Sequence, residues 1–187
     1  MLPDHLGPGL AVVFVGTSVA TASASRRHYY AGPGNKFWEL LWDAGLTGDR
    51  ALVPEQDAMV LEYGLGLTDL VKGRAASADS LLRHDDYDVP AFLSKVETFK
   101  PHVIAFNGKE AARRVFRSLA EPEPPLGPSQ MHIAASKVFV LPSSSGANAD
   151  RKNFAPKTTK AEWWRELGVL LRSSGRLPPP TRSVIDG

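Results

Sequence analysis

The sequence predicts an α/β fold: one three-layer αβα domain on a central, mostly parallel sheet. Three observations predict it. Ala11–Val15 is an unbroken apolar, largely β-branched run that ends at Gly16, as expected of a strand buried on both faces. His102–Phe106 repeats the pattern and turns at Asn107-Gly108. Amphipathic helical segments alternate with these runs, which is the order that produces parallel βαβ units.

The elements follow in order. Residues 1–9 are Pro/Gly-rich and read as a lead-in to a domain over 10–173. The first strand is expected to empty at Gly16 into a long loop, Thr17 to Gly34. Asn35 is placed to cap a helix carrying Phe37, Trp38, Leu40 and Leu41 and stopped by Gly45. Pro54 suits the first turn of a helix running to about Tyr63. Gly64–Asp69 reads as a short strand and turn. Asp88 and Pro90 open a helix through Phe99, and a further helix spans about Lys109 to Leu119. Met131–Ala135 and Val138–Leu141 read as strands, and Pro142–Pro156 as a Ser-, Gly- and Asn-bearing loop. Thr159 and Glu162 form a capping box for the last helix, which carries Trp163, Trp164, Leu167, Leu170 and Leu171. Residues 174–187 hold Pro178-Pro179-Pro180 and read as a mobile tail.

Composition narrows the chemistry. The chain has 187 residues and no cysteine, so one core is expected and disulfides, thiolate metal sites and cysteine nucleophiles are excluded. The five histidines lack metal-ligand spacing, so a zinc site is not expected. No apolar run is long enough for a membrane span, no signal pattern opens the chain, and the lack of cysteine fits a reducing cytosol, so a cytoplasmic location is expected; a monomer is expected as well. A net charge of +2 leaves polyanion binding to local clusters such as Arg26-Arg27-His28, Arg113-Arg114 and Arg151-Lys152. Phosphate-loop, dinucleotide and Gly-x-Ser-x-Gly fingerprints are absent.

Ligands of such sheets bind beyond the carboxyl ends of the strands. Three strand ends carry unusual loops there: Gly16-Thr17-Ser18, Asn107-Gly108-Lys109 and Ser143-Ser144-Ser145-Gly146. The serine loop offers hydroxyls and backbone N–H groups suited to a phosphate.

His28-Tyr29-Tyr30-Ala31-Gly32-Pro33-Gly34-Asn35-Lys36-Phe37-Trp38 resembles the His-x-Tyr-x-Gly-Pro-Gly-Asn-x-Phe-Trp segment of mismatch-specific uracil/thymine DNA glycosylases. Four more segments agree in order. Gly16-Thr17-Ser18 stands where that family has Gly-Ile-Asn-Pro-Gly, and Tyr63–Val71 resembles its Tyr-Gly-x-Gly-x-Thr-Asn-hydrophobic-Val stretch. Phe106-Asn107-Gly108-Lys109 and Leu141-Pro142-Ser143-Ser144-Ser145 are similar to its Phe-Asn-Gly-Lys and Met-Pro-Ser-Ser-Ser, the latter the thymine-type form. The likeness covers roughly residues 10–172.

The resemblance implies the uracil-DNA glycosylase fold and a monofunctional enzyme without cofactor that cuts uracil from DNA, leaving an abasic site and free uracil. The base is flipped into a pocket before its bond is cut. Tyr30 stands at the stacking position; Gly16, Thr17, Ser18 and Asp69 stand at the base. DNA contacts are implied for Ser23, Lys109, Ser143, Ser144, Ser145, Gly146, Ala147, Asn148 and Arg151. Lys36 and Lys109 fit a solvated helix position equally well.

The chain also departs from that family. Ser18 replaces the Asn that orients the attacking water; losing one well-placed polar group typically costs about 10²–10³ in rate. Val19-Ala20 replaces Pro-Gly. Asp69 stands where Asn, or in some members Lys, is usual. It is expected either to be protonated by burial and donate to the base, or to activate the water as a general base in place of the missing Asn. The second role explains Ser18 and Asp69 together; turn capping is a third use of an Asp here. The wedge position falls at about Ala147, a small side chain, with Arg151 as the nearest larger candidate, so single-stranded or unpaired uracil suits the chain as well as U·G pairs. Two other functions stay open: a binding module for uracil or abasic DNA that turns over slowly or not at all, and an enzyme of free nucleotides or nucleosides.

Overall fold

Val12, Phe14 and the residues between them are buried on both sides because both faces of their strand are covered by helices. The computed structural model describes residues 2–72, 82–149 and 151–177, apart from the side chains of His84 and Arg151. Its sheet has five strands: β1 (Val12–Ser18), β2 (Leu65–Val71), β3 (Val103–Asn107), β4 (Gly127–Ile133) and β5 (Ser136–Leu141). Their order is β2-β1-β3-β5-β4, parallel throughout except for β4. The α helices are α1 (Thr21–Arg26), α2 (Phe37–Asp43), α3 (Val89–Phe99), α4 (Lys109–Ser118) and α5 (Lys160–Ser173).

Alternation along β1 divides the core. Val12 and Phe14 face α2 and α5, where Phe14 stacks on Trp164 (5.4 Å between centroids, 11°) and meets Phe37 edge-on at 5.3 Å. Val13 and Val15 face α3 and α4 among Phe92, Phe106, Val115 and Phe116. The αβα layering expected from the sequence is the one observed.

Several boundaries differ. β1 does not empty at Gly16: β2 continues to Val71, and its pairing keeps Ser18 in the sheet opposite Val71. Asp69 is therefore within a strand, opposite Gly16, and not in a turn. The loop expected over 17–34 contains α1. α2 begins at Phe37, with the Asn35 carboxamide oxygen accepting the Phe37 N–H at 2.9 Å. Pro54–Tyr63 is wound as a 3₁₀ helix. β4 starts four residues before the expected Met131, because Gly127 and Pro128 pair with Val140 and Phe139 across an irregularity before His132. The hairpin turns at Ala134, whose φ is 51°, and β5 already begins at Ser136.

The lead-in is part of the sheet edge. His5 pairs with Leu67 in an antiparallel bridge, with N–H···O distances of 3.0 and 2.9 Å. Of the tail, Ser174 to Leu177 is described, and Leu177 packs on the core; residues 178–187 lie outside the described residues. No helix among the described residues is long and apolar enough to cross a membrane.

α5 and α2 meet at Gly168. A side chain there would run into the carbonyl oxygen of Ala44 and the Arg172 guanidinium. Gly168→Ala is therefore expected to destabilise the fold by about 1–3 kcal/mol, although Ala is the better helix former by about 1 kcal/mol. Val169→Ala, on the exposed side of the same turn, should stay within about 0.5 kcal/mol of the parent in urea denaturation.

Candidate functional site

The parallel strands β2, β1, β3 and β5 end on one edge of the sheet, and the order reverses direction between β1 and β3. That reversal leaves a crevice. A cavity of about 450 Å³ occupies it, lined by Gly16, Thr17, Ser18, Ser23, Tyr30, Asp69, Asn107, Lys109, Ser143, Ser144, Ser145, Ala147 and Asn148. Twelve of the sequence-predicted residues are thus brought together. Gly146 does not line the cavity; it packs on the Gly34 carbonyl, which would sit 2.6 Å from any added side chain. The side chain of Arg151 lies outside the described residues.

The floor is built by the Gly16–Asp69 pair. A side chain at residue 16 would collide with Asp69 Oδ1 and lie 3.2 Å from the Tyr30 hydroxyl, so glycine lets both oxygens reach the same spot. Asp69 is 3% exposed, and its Oδ2 has no hydrogen-bond partner among the described residues. Burial raises its pKa to about 7; Lys72 and Lys95 pull it down, and Asp4 pushes it up. Among the described residues the buried Tyr30 hydroxyl also lacks a well-formed hydrogen bond. Burial and then the Asp69 charge push its pKa up, partly offset by the Asn107 side chain.

The charges behind Asp69 were not legible as site residues. Asp4 accepts from the Thr68 hydroxyl at 2.7 Å and pairs with Lys72 at 2.5 Å and Lys95 at 2.8 Å. Burial alone would raise the Asp4 pKa, but these three donors more than offset it. Lys72 also donates to the Tyr29 hydroxyl at 2.8 Å. The N-terminal segment, the end of β2 and α3 thus form one ionic cluster under the pocket floor. Only the positions of Asp4, Lys72 and Lys95 in the fold reveal it; their spacing in the chain carries no signal.

The Tyr30 ring stacks on Phe37, 3.9 Å between centroids at 14°. One ring face is therefore spent on Phe37, and the ring borders the cavity with what remains. Tyr30 holds a left-handed φ of 53°, which costs a non-glycine residue about 1–2 kcal/mol. Its neighbours over-determine the bend. The Tyr29 N–H donates to the buried Asp57 carboxylate at 2.9 Å, and Trp38 Nε1 donates to the Tyr29 carbonyl at 3.1 Å.

Asn107, at the end of β3, clamps the serine loop. Its amide donates to Ser144 Oγ at 2.9 Å, and its oxygen accepts the Ser144 N–H at 2.9 Å. Ser144 is consequently 1% exposed and acts as the loop's anchor. Gly108, at φ 119°, takes the chain from β3 into α4 past Ser143. At the rim, Glu110 is held by Arg113 and Arg114, each at 2.6 Å, which masks its charge. Ser23, 2% exposed, borders the cavity from α1, and Lys109 and Ala147 are exposed at its edge. Among the described residues no cluster of His, Cys, Asp or Glu could hold a metal.

The family model for the uracil DNA glycosylase superfamily matches residues 3–168. The chain belongs to that superfamily. Among solved structures it is similar to an NMR structure from Methanosarcina acetivorans, described as a candidate uracil DNA glycosylase. Identity is 25%, the TM-score is 0.59, and the match covers 89% of this chain and 96% of that one. The expected fold is shown by both comparisons, and superfamily membership supports a DNA glycosylase function in general.

The raised pKa of Asp69 has a consequence for stability. Between pH about 4 and about 7 the folded chain keeps a proton on Asp69 that the unfolded chain releases, so this group's contribution falls as pH rises through that window. Asp69→Asn removes the effect. The variant's stability advantage over the parent in urea denaturation is expected to grow from pH 4 to pH 7 and then level off; a constant gap would show Asp69 ionised normally.

Proposed function

We propose that the chain is a monofunctional uracil-DNA glycosylase in which Asp69 is the general base. The observation that carries this reading is the buried Asp69 carboxyl at the cavity floor, with one oxygen unpartnered among the described residues and a pKa near neutrality. A base works best with a pKa near the operating pH. An Asp at its ordinary pKa would hold a proton poorly.

In this mechanism a uracil nucleotide is flipped into the cavity and its ring lies against Tyr30. Water attacks C1′ of the deoxyribose while Asp69 takes a water proton. The C1′–N1 bond breaks, its electron pair leaves with uracil as the anion, and an abasic sugar remains. Ser18 orients the water or the base through one hydroxyl. The serine loop, Asn148 and Lys109 hold the flanking backbone. Ala147, small and exposed at the rim, makes a weak wedge, which suits single-stranded or unpaired uracil at least as well as U·G pairs.

The alternative, a module that holds uracil or abasic DNA without cutting it, is favoured by one observation: Ser18 stands where the resembling family has Asn. Time courses on single- and double-stranded uracil DNA, run past one equivalent of enzyme, separate the two. Tight abasic-DNA binding without alkali-labile product would favour the module.

Asp69→Ala is expected to lower single-turnover excision by about 10²-fold or more, and Ser18→Ala by less. Equal, small losses would exclude Asp69 as the base. The parent's rate should rise with pH and level above about 7, since the base works ionised. A rate that falls above pH 7 would instead make the protonated carboxyl a donor to the base. Lys72 lowers the Asp69 pKa, so Lys72→Met should move the rising limb to higher pH at an unchanged plateau. An unmoved limb would show that the ionic cluster is not felt at the site.

A further inference from the structure

Lys160 stands at the first position of α5, where a cation is opposed by the helix dipole. Its ammonium does not extend into solvent. It donates to the Ser143 carbonyl at 3.1 Å and the Ser145 carbonyl at 2.9 Å, beside the Phe154 ring at 5.8 Å. Burial, then the nearby Lys36 charge, lowers its pKa. A half-buried cation at an unfavourable helix end needs compensation, and the two carbonyls supply it.

Their capture changes what the serine loop presents. Ser143 O also accepts from the Asn148 amide at 3.3 Å, Ser145 O from the Asn148 N–H at 3.1 Å, and Ser144 O from the Lys36 N–H at 2.9 Å. All three serine carbonyls are thereby occupied. The Ser144 N–H is taken by the Asn107 oxygen at 2.9 Å, but two other donors of the loop are held loosely. Ser145 N–H reaches Ser143 Oγ at 3.2 Å and Ala147 N–H reaches Ser145 Oγ at 3.3 Å, long bonds to hydroxyls that can rotate away. A phosphate oxygen is a stronger acceptor than either hydroxyl.

We propose that Lys160 is a positioning residue of the DNA-binding loop: it ties down the Ser143 and Ser145 carbonyls so that the loop offers N–H and hydroxyl donors to a backbone phosphate. The proposal rests on the glycosylase reading above. It assigns Lys160 no direct contact with DNA.

The test uses the full chain, a duplex with a tetrahydrofuran abasic analogue, and uracil DNA. Lys160→Gln is expected to weaken duplex binding by about tenfold or more and to raise KM to match, with the saturated single-turnover rate within about twofold of the parent. The slope of log affinity against log salt should be unchanged, because no phosphate-bound cation is lost. Lys160→Arg, which can reach both carbonyls, should restore most of the affinity. Lys160→Met keeps the stem against Phe154 and replaces Lys160→Gln if that variant unfolds. A slope reduced by about 0.9 would mean that Lys160 contacts a phosphate itself, and overturns the proposal. So would unchanged binding in a chain whose parent binds and cleaves. A parent that neither binds the abasic duplex nor releases uracil removes the glycosylase reading, and this inference with it.

Discussion

The site depends on one backbone register. β1 and β2 pair in parallel with Gly16 opposite Asp69, and the missing side chain at residue 16 is what admits the Asp69 carboxyl and the Tyr30 hydroxyl. Burial there costs an ionised carboxylate its hydration, which is the first cause of its raised pKa. A one-residue slip would turn Asp69 to the other face of the sheet and leave the cavity floor without its carboxyl.

Two sets of contacts support that pair from behind. The Asp4–Lys72–Lys95 cluster places two cations and one anion under the floor, so Asp69 feels a field that partly cancels. Asp57 and Trp38 hold the strained turn that lays Tyr30 on Phe37. Strain held by surrounding hydrogen bonds is a common way to fix a side chain where a ligand must meet it. The opposite wall is organised differently, with the three serine carbonyls occupied and the Ser145 and Ala147 N–H groups held by rotatable hydroxyls. On the proposed reading, one wall manages a proton and the other an anion.

Much of the fold was legible because burial leaves a period in the sequence. Val12–Val15 and Val103–Phe106 are apolar on both faces, and both are central strands. The Thr159–Glu162 capping box and the Asp88 cap are local and are present as read. The edge hairpin was read short: Gly127 and Pro128 belong to a strand only because β5 offers them a partner. The cavity's lining was largely legible from loops that follow strands. Asn107 was visible only as part of a motif, and its clamp on Ser144 required the serine loop to be in place.

By itself, the sequence determined the αβα class, the strands that form its centre and the loops that meet at one edge, because hydrophobic period and capping are local properties. It also singled out Asp69 through the resemblance to mismatch-specific glycosylases. Only the tertiary structure decided that Asp69 lies within a strand, faces Gly16 and sits over Asp4, Lys72 and Lys95. It alone turned Lys160 toward the serine carbonyls. These relations join residues far apart in the chain, and their energies come from desolvation and charge proximity, neither of which has a sequence period.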